Sequence, residues 1–241
     1  MKKASIIFLI ISLVTSCVRN NSDITQPTVT NGNLVLQVGY QFDNTSLLFD
    51  TIMFTNAASY KISVTRLQYY LSGFSFKRAD GTSLPYAGVF YFDAKDSKFG
   101  QITFVNLPAG NYTGLSFNLG LDSSINKTDN LPPTAENNNM VWPVQMGGGY
   151  HFMKMEGLFI DTGSVFGYAM HLGKAPNLVS VSLNNKTFVI GAETANLNIK
   201  MNVAEWYKNP AIYDFDKDGN FSMGSDTAMA KLKNNGVDVF N

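Results

Sequence analysis

Short runs of alternating apolar and polar residues, separated by turn residues, constrain the fold of this chain more than any other feature. One aromatic-rich run covers residues 69–77 and ends at Ala79-Asp80-Gly81, a hairpin signal. Alternation with a period of two puts successive side chains on opposite faces of a strand. Short strands separated by turns are typical of an antiparallel β-sandwich. We therefore predict an all-β fold, an antiparallel β-sandwich with short C-terminal helices.

The predicted strands cover residues 34–40, 60–67, 69–77, 88–92, 102–105, 113–119, 150–160, 165–172, 179–183, 188–190 and 195–203. A short helix is predicted near residues 203–208, and a last one over 226–234, where Asp226 and Thr227 can cap its N-terminus. Because no second linker interrupts residues 34–241, we predict a single domain there.

The N-terminus has the pattern of a bacterial lipoprotein signal peptide over residues 1–17. Lys2 and Lys3 precede an apolar segment, and small residues come directly before Cys17, the only cysteine of the chain. The apolar segment is far shorter than the roughly 20 residues of a membrane-spanning helix. We therefore predict lipidation at Cys17 and a cell-envelope location, anchored to a membrane, with the outer membrane favoured. The alternative is a generic secretory signal with a chance cysteine.

A polar segment and a balanced charge follow. Residues 18–33 are rich in Asn, Ser, Thr and Gln and have no hydrophobic period, which predicts a flexible tether.

The full chain has 18 basic and 18 acidic residues. Removal of the signal peptide with Lys2 and Lys3 leaves 16 basic against 18 acidic residues, or −2. This balance argues against a nucleic-acid partner.

Residues 140–173 contain both histidines of the chain, one of its two tryptophans and several of its methionines. Imidazole suits copper and zinc, and thioether suits copper(I) in particular. The cluster therefore predicts a copper site formed by His151 and His171, with Trp142 nearby. Met153 and Met155 share parity with His151 on an unbroken strand, so either could supply a soft third ligand.

Strand parity decides whether the two histidines can share a site. If residues 150–160 and 165–172 form a hairpin, a loop with an odd number of residues places His151 and His171 on one face. A loop with an even number places them on opposite faces. The turn sequence from Asp161 to Ser164 does not determine the loop length. The alternative interpretation is a pair of structural histidines, with methionines that fill gaps in the core.

A second metal signal lies near the C-terminus. Asp214, Asp216 and Asp218, followed by Gly219, match the first half of a calcium loop, whose oxygen ligands suit Ca²⁺. Counted from Asp214, the twelfth position of the loop holds Ser225, whereas calcium loops have a bidentate glutamate at this position. The alternative to a structural calcium site is a solvated, aspartate-rich turn.

Catalysis finds little support in the sequence. The chain has only two histidines, no Gly-x-Ser-x-Gly motif, and a single cysteine that the lipid would modify. We therefore predict that the protein is not an enzyme.

Five motifs in order along the chain resemble the MbnP family, copper-binding proteins of the periplasm or cell surface that are associated with methanobactin operons. These motifs are TRLQYYLS at 65–72, NLGLD at 118–122, MVW at 140–142, GY with KMEG at 149–157, and HLG at 171–173. The resemblance implies a β-sandwich. Some members of the family have a copper site of two histidines and a tryptophan, and a dihaem peroxidase-like partner oxidises this tryptophan to kynurenine. The resemblance implies that such a site and such a partner can be expected here. Trp142 and His171 occupy the matching motif positions.

Two functions from different classes follow. The first is copper binding for uptake, storage or delivery at the cell surface or in the periplasm. The second is a non-catalytic surface interaction module without a transition metal, which binds a glycan or a protein through exposed aromatic side chains. The candidate aromatic residues are Tyr69, Tyr70, Tyr86 and Tyr91.

Overall fold

The computed structural model describes residues 31–241. The predicted signal peptide with Cys17, and the predicted tether up to residue 30, lie outside the described residues. Strand pairing is already present at Asn31 and Gly32, before the predicted domain boundary at residue 34, since they pair with Pro108 and Leu107. None of the helices within residues 31–241 has the length and apolar character needed to cross a membrane.

Strands dominate the described chain. In order they are β1 (Asn31–Phe42), β2 (Thr45–Ser46), β3 (Phe54–Thr55), β4 (Lys61–Ile62), β5 (Arg66–Arg78), β6 (Ser83–Asp93), β7 (Gln101–Pro108), β8 (Gly110–Leu119), β9 (His151–Asp161), β10 (Ser164–Gly173), β11 (Val179–Leu183), β12 (Phe188–Ile190) and β13 (Ala195–Asn202). The α-helices are α1 (Ala135–Asn139), α2 (Phe215–Asp218) and α3 (Asp226–Asn235). Short 3₁₀ helices cover Ser97–Phe99, Val144–Met146, Ala175–Asn177, Val203–Tyr207 and Gly236–Asp238.

The strands form two sheets. The smaller sheet has the order β13-β1-β2, with β7 also paired to β1. The larger sheet has the order β11-β8-β5-β9-β4-β3, with β10 on β9, β12 on β8 and β6 on β5. The predicted all-β sandwich is confirmed. One pairing departs from the antiparallel prediction, since β1 and β13 run parallel from Leu34–Ala195 to Gln41–Asn202.

Aromatic side chains join the two sheets. Phe104 of β7 lies in the smaller sheet, and its ring centroid is 4.9 Å from those of both Phe74 and Phe76 on β5 of the larger sheet. All three rings are buried. Such offset and edge-to-face contacts add to the stabilisation from apolar burial. The core therefore consists of the side chains at alternating strand positions that point inward from both sheets.

Two local predictions differ from the structure. The predicted strand at 60–67 is divided: Lys61–Ile62 forms β4 and Arg66 begins β5, although between them the amide of Thr65 still donates to the carbonyl of Glu156 on β9. The helix near residue 226 is present, but Ser225 caps it instead of Asp226 or Thr227. The Ser225 side chain accepts a hydrogen bond from the amide of Ala228.

The β9–β10 hairpin offers a matched pair of glycines for a test of packing. A Cβ atom at Gly157 would lie 1.9 Å from the carbonyl oxygen of Ser63, whereas one at Gly167 would meet nothing within 4 Å. We expect Gly157→Ala to lower the free energy of unfolding by about 3 kcal/mol, because backbone has to move. Gly167→Ala should change it by less than about 0.5 kcal/mol. Urea denaturation measures both, and equal effects would contradict this packing.

Candidate metal centre

The register of the β9–β10 hairpin determines which side chains share a face. Asp161 pairs with Ser164, so the turn contains two residues, Thr162 and Gly163, both with positive φ. This even loop places His171 opposite Lys154. On an unbroken strand His151 would then point to the other face, away from His171.

A β-bulge in β9 reverses that outcome. Leu172 pairs with Met153, but the next residue, Gly173, pairs with His151, so Phe152 is an additional residue on one strand. His151 therefore returns to the face of Gly173 and His171. Gly120 makes room for the bulged residue, since a Cβ atom there would lie 2.5 Å from the Phe152 ring.

The bulge brings the two imidazole rings into contact. Their centroids are 5.0 Å apart and their planes are nearly perpendicular, at 87°. His151 is 4% exposed, and the side chain of His171 is 13% exposed. The structure therefore brings together the two residues that the sequence proposed as copper ligands, at a distance where both rings can reach one ion.

His151 is held by the segment that precedes β9. Its backbone amide and its ring Nδ1–H both donate to the carbonyl of Met140, at 2.7 and 3.1 Å. In the described chain its buried Nε2 has no hydrogen-bond partner. Burial, followed by the nearby charge of Lys154, lowers the pKa of His151 from 6.5 to about 3. The ring is therefore neutral at physiological pH, which is the form that binds metals.

His171 is held from two sides. The hydroxyl of Ser222 accepts from its amide at 2.7 Å and donates to its carbonyl at 2.6 Å. Its ring Nε2 lies 2.9 Å from Oε1 of Glu156, and its buried Nδ1 is without a partner among the described residues. Each histidine thus has one ring nitrogen engaged in a hydrogen bond and one free.

Trp142 lies against the histidine pair. Its ring centroid is 4.6 Å from that of His151, and its Nε1–H donates to the carbonyl of Met146 at 3.3 Å. The indole packs over Gly173, where a Cβ atom would lie 2.6 Å from the ring. The predicted proximity of Trp142 to the two histidines is therefore present in the structure.

The methionines lie elsewhere. Met153 and Met155 pair with Leu172 and Met170 and point to the core face of the hairpin, because the bulge separates their parity from that of His151. Within residues 31–241 no group of three or more histidine, cysteine, aspartate or glutamate side chains is arranged around a metal position. Met153 and Met155 therefore do not lie on the face of the hairpin that carries the imidazole pair.

The aspartate-rich segment forms the short helix α2, with Asp214 as its N-cap. The Asp214 side chain accepts from the amide of Asp216 and pairs with Lys217 at 2.8 Å. Asp218 pairs with Lys231 at 2.6 Å, and Asp216 is exposed. Lysine cations therefore pair with the carboxylates of Asp214 and Asp218, and the calcium prediction finds no support.

The expected exposure of the aromatic residues is partly wrong. Tyr69 and Tyr70 are fully buried, and Tyr86 and Tyr91 are half-buried. Strand β5 lies between β6 and the pair β8 and β9, so it is an inner strand of its sheet. Adjacent residues are buried on both of its faces, because Tyr69 packs against Tyr40 and Phe240 and Tyr70 packs against Tyr150.

Sequence reasoning missed three charged residues beside the histidines. Glu156 contacts His171, and Arg66 donates to the same Glu156 oxygen at 2.9 Å. Lys154 is buried and donates to the carbonyl of Asn139, next to Met140. The hydrogen bond from His171 is the largest cause that lowers the pKa of Glu156. Strand parity places Lys154 and Glu156 on the same face of β9, but only the two-residue turn of the structure shows that this face also carries His171.

Comparisons with known proteins agree with this fold. A family model described as MbnP matches residues 31–225. The solved structure of MbnP from Methylosinus trichosporium superimposes with a TM-score of 0.54 and 17% sequence identity, over 76% of this chain and 80% of that one. A comparison with curated protein sequences finds no match.

The fold and the site define a class, a β-sandwich with two buried imidazoles in contact on one hairpin. The family match covers most of the chain, from the first described strand to the start of α3. The chain belongs to the MbnP family, which is associated with copper.

The burial of His151 predicts how the metal-free protein responds to acid. Below pH 6.5 the unfolded chain protonates His151, whereas the folded protein does so only near pH 3. As the pH is lowered, the contribution of His151 to the free energy of unfolding should therefore fall by about 1.4 kcal/mol per pH unit. Between pH 6.5 and 5 the loss should be about 2 kcal/mol. In His151→Leu that loss should be absent. Urea denaturation at several pH values measures the difference, and identical pH slopes would contradict the prediction.

Proposed function

We propose that this protein binds one copper ion through Nε2 of His151 and Nδ1 of His171, and that it serves copper uptake, storage or delivery at the cell envelope. The role proposed is binding and not catalysis. Family membership supports copper as the metal.

One observation carries the proposal. Two buried imidazole nitrogens, one on each histidine, lack hydrogen-bond partners in the described chain, and their rings are in contact. An unsatisfied polar atom in a protein interior costs about 1–3 kcal/mol. A bound metal ion would satisfy both nitrogens at once and would offset that cost.

The residues present fit copper. Neutral imidazole is a ligand for copper, zinc and nickel, so the donor atoms alone do not select among them. The low pKa of His151 means that its ring has no proton to lose at neutral pH before it binds a metal. Copper held here would be shielded from water by Trp142 and the hairpin.

Elemental analysis after dialysis tests the proposal. Residues 18–241 are dialysed against copper and, in parallel, against zinc, and the retained metal is measured per protein. We expect one equivalent of copper in the wild type and none in the His151→Ala/His171→Ala double variant, because both free nitrogens are lost.

The methionines provide the matched control. Met153→Leu/Met155→Leu should retain copper fully, because both thioethers face the core. Wild-type protein without retained copper would overturn the proposal. Loss of copper in the methionine variant alone would replace the two-histidine site with a thioether site.

The cellular location is a separate proposal that supports the function. A lipid on Cys17 would hold the domain at a membrane of the cell envelope, with residues 18–30 as a spacer before β1. We expect Cys17→Ser to move the protein from the membrane fraction to the soluble fraction, measured by fractionation and immunoblotting. Unchanged membrane association of this variant would contradict lipid anchoring.

Oxidation of Trp142 by a dihaem peroxidase-like partner is the remaining part of the proposal. Trp142 is in ring contact with His151, where an oxidised side chain would reach the same ion. Mass spectrometry of the Trp142 peptide, from protein isolated from its native cells, tests this point. An unmodified peptide would restrict the protein ligands to the two imidazoles.

The alternative, a surface interaction module, has less support. Two of its four aromatic residues, Tyr69 and Tyr70, are buried, although Tyr70 and Tyr91 line an open surface cavity. Exposed apolar residues do occur on the β9–β10 hairpin, including Leu158 and Val165. Neither Leu158 nor Val165 lines one of the main cavities among the described residues, so we do not propose this function.

A further inference from the structure

Glu156 lies where it can control the ring of His171. It pairs with Ala169 on β10, two residues from His171 and on the same face of the hairpin. Its Oε1 is 2.9 Å from Nε2 of His171 and 2.9 Å from Nη1 of Arg66. One carboxylate oxygen thus contacts both a guanidinium and an imidazole.

The arginine determines the direction of the hydrogen bond to His171. Arg66 can only donate, and it interacts most strongly with an ionised carboxylate. An ionised carboxylate can only accept, so the partner nitrogen of His171 has to carry the proton. A neutral imidazole carries one proton, and a proton on Nε2 leaves the lone pair on Nδ1.

His151 has the opposite arrangement. The carbonyl of Met140 can only accept, so Nδ1 of His151 carries the proton and Nε2 keeps the lone pair. The two rings therefore keep the lone pair on different nitrogens, and these are the two atoms that lack partners in the described chain. A backbone carbonyl orients one ring, whereas an ion-paired side chain orients the other.

We propose that Glu156 is the positioning residue of this site, which holds His171 as the Nε2–H tautomer so that Nδ1 is free to bind a metal. Glu156 acts through His171 and is not itself a ligand. The part that concerns metal affinity rests on the proposed copper function, whereas the part that concerns the tautomer does not.

Long-range ¹⁵N–¹H NMR of the imidazole nitrogens in metal-free protein at pH 8 tests the tautomer. The chain has only two histidines, and a His151→Ala sample assigns the signals of His171. We expect wild-type His171 to show a protonated Nε2 and an unprotonated Nδ1. Glu156→Gln should keep this pattern, because the amide oxygen still accepts, whereas Glu156→Ala should give a mixture of both tautomers.

Copper affinity provides the second readout. We expect Glu156→Ala to weaken copper binding about 10- to 100-fold in a competition titration, as is usual when a hydrogen-bond partner of a ligand is lost. Glu156→Gln should restore most of the affinity. Glu205→Ala is the matched control: it removes a glutamate paired with Lys208 at 3.1 Å, outside the site. This control should change neither readout.

Several results would overturn the positioning role. A proton on Nδ1 of wild-type His171 would do so without any variant, as would an unchanged tautomer in Glu156→Ala. Equal losses of affinity in Glu156→Gln and Glu156→Ala would show that charge matters and the accepted hydrogen bond does not. If the tautomer shifts as expected but wild-type protein retains no copper, the proposed function fails and the positioning role of Glu156 stands.

Discussion

Burial of two imidazoles without full hydrogen bonding is the constraint on which the site depends. Removal of His151 from water keeps its ring neutral, and the charge of Lys154 acts in the same direction. A neutral ring in an apolar environment still needs a partner for each nitrogen. The segment before β9 provides one partner for His151 and Glu156 provides one for His171, while the second nitrogen of each ring has no partner among the described residues.

Much of the fold could be predicted from the sequence, because strand alternation and turn residues are local signals. The hairpin at Ala79-Asp80-Gly81, the strands from Tyr150 onward and the last helix all follow from such signals. The division of the strand at 60–67 depends on how β4 and β5 each pair with β9, and the burial of Tyr69 and Tyr70 depends on rings from distant parts of the chain. Neighbouring strands are a property of the whole sheet, and no local pattern encodes them.

The site shows the same division. Residue type identified His151, His171 and Trp142 as candidates. Nothing in the residues around Phe152 marks a bulge, so the sequence could not decide whether the two histidines lie on one face of the hairpin. The methionine expectation required an unbroken β9 and therefore failed together with it. The aspartates near the C-terminus resemble the first half of a calcium loop, but the local spacing does not encode the pairing of Asp218 with Lys231, thirteen residues further along the chain.

The bulge at Phe152 has a consequence for how relatives of this chain are compared. A homologue could keep both histidines at aligned positions and yet lack Phe152 through a single deletion. In that case the rings would lie on opposite sides of the sheet, and the site would be lost although every candidate ligand remained. The number of residues between the two histidines is therefore as informative as their identity, and gaps in this hairpin carry more weight than substitutions.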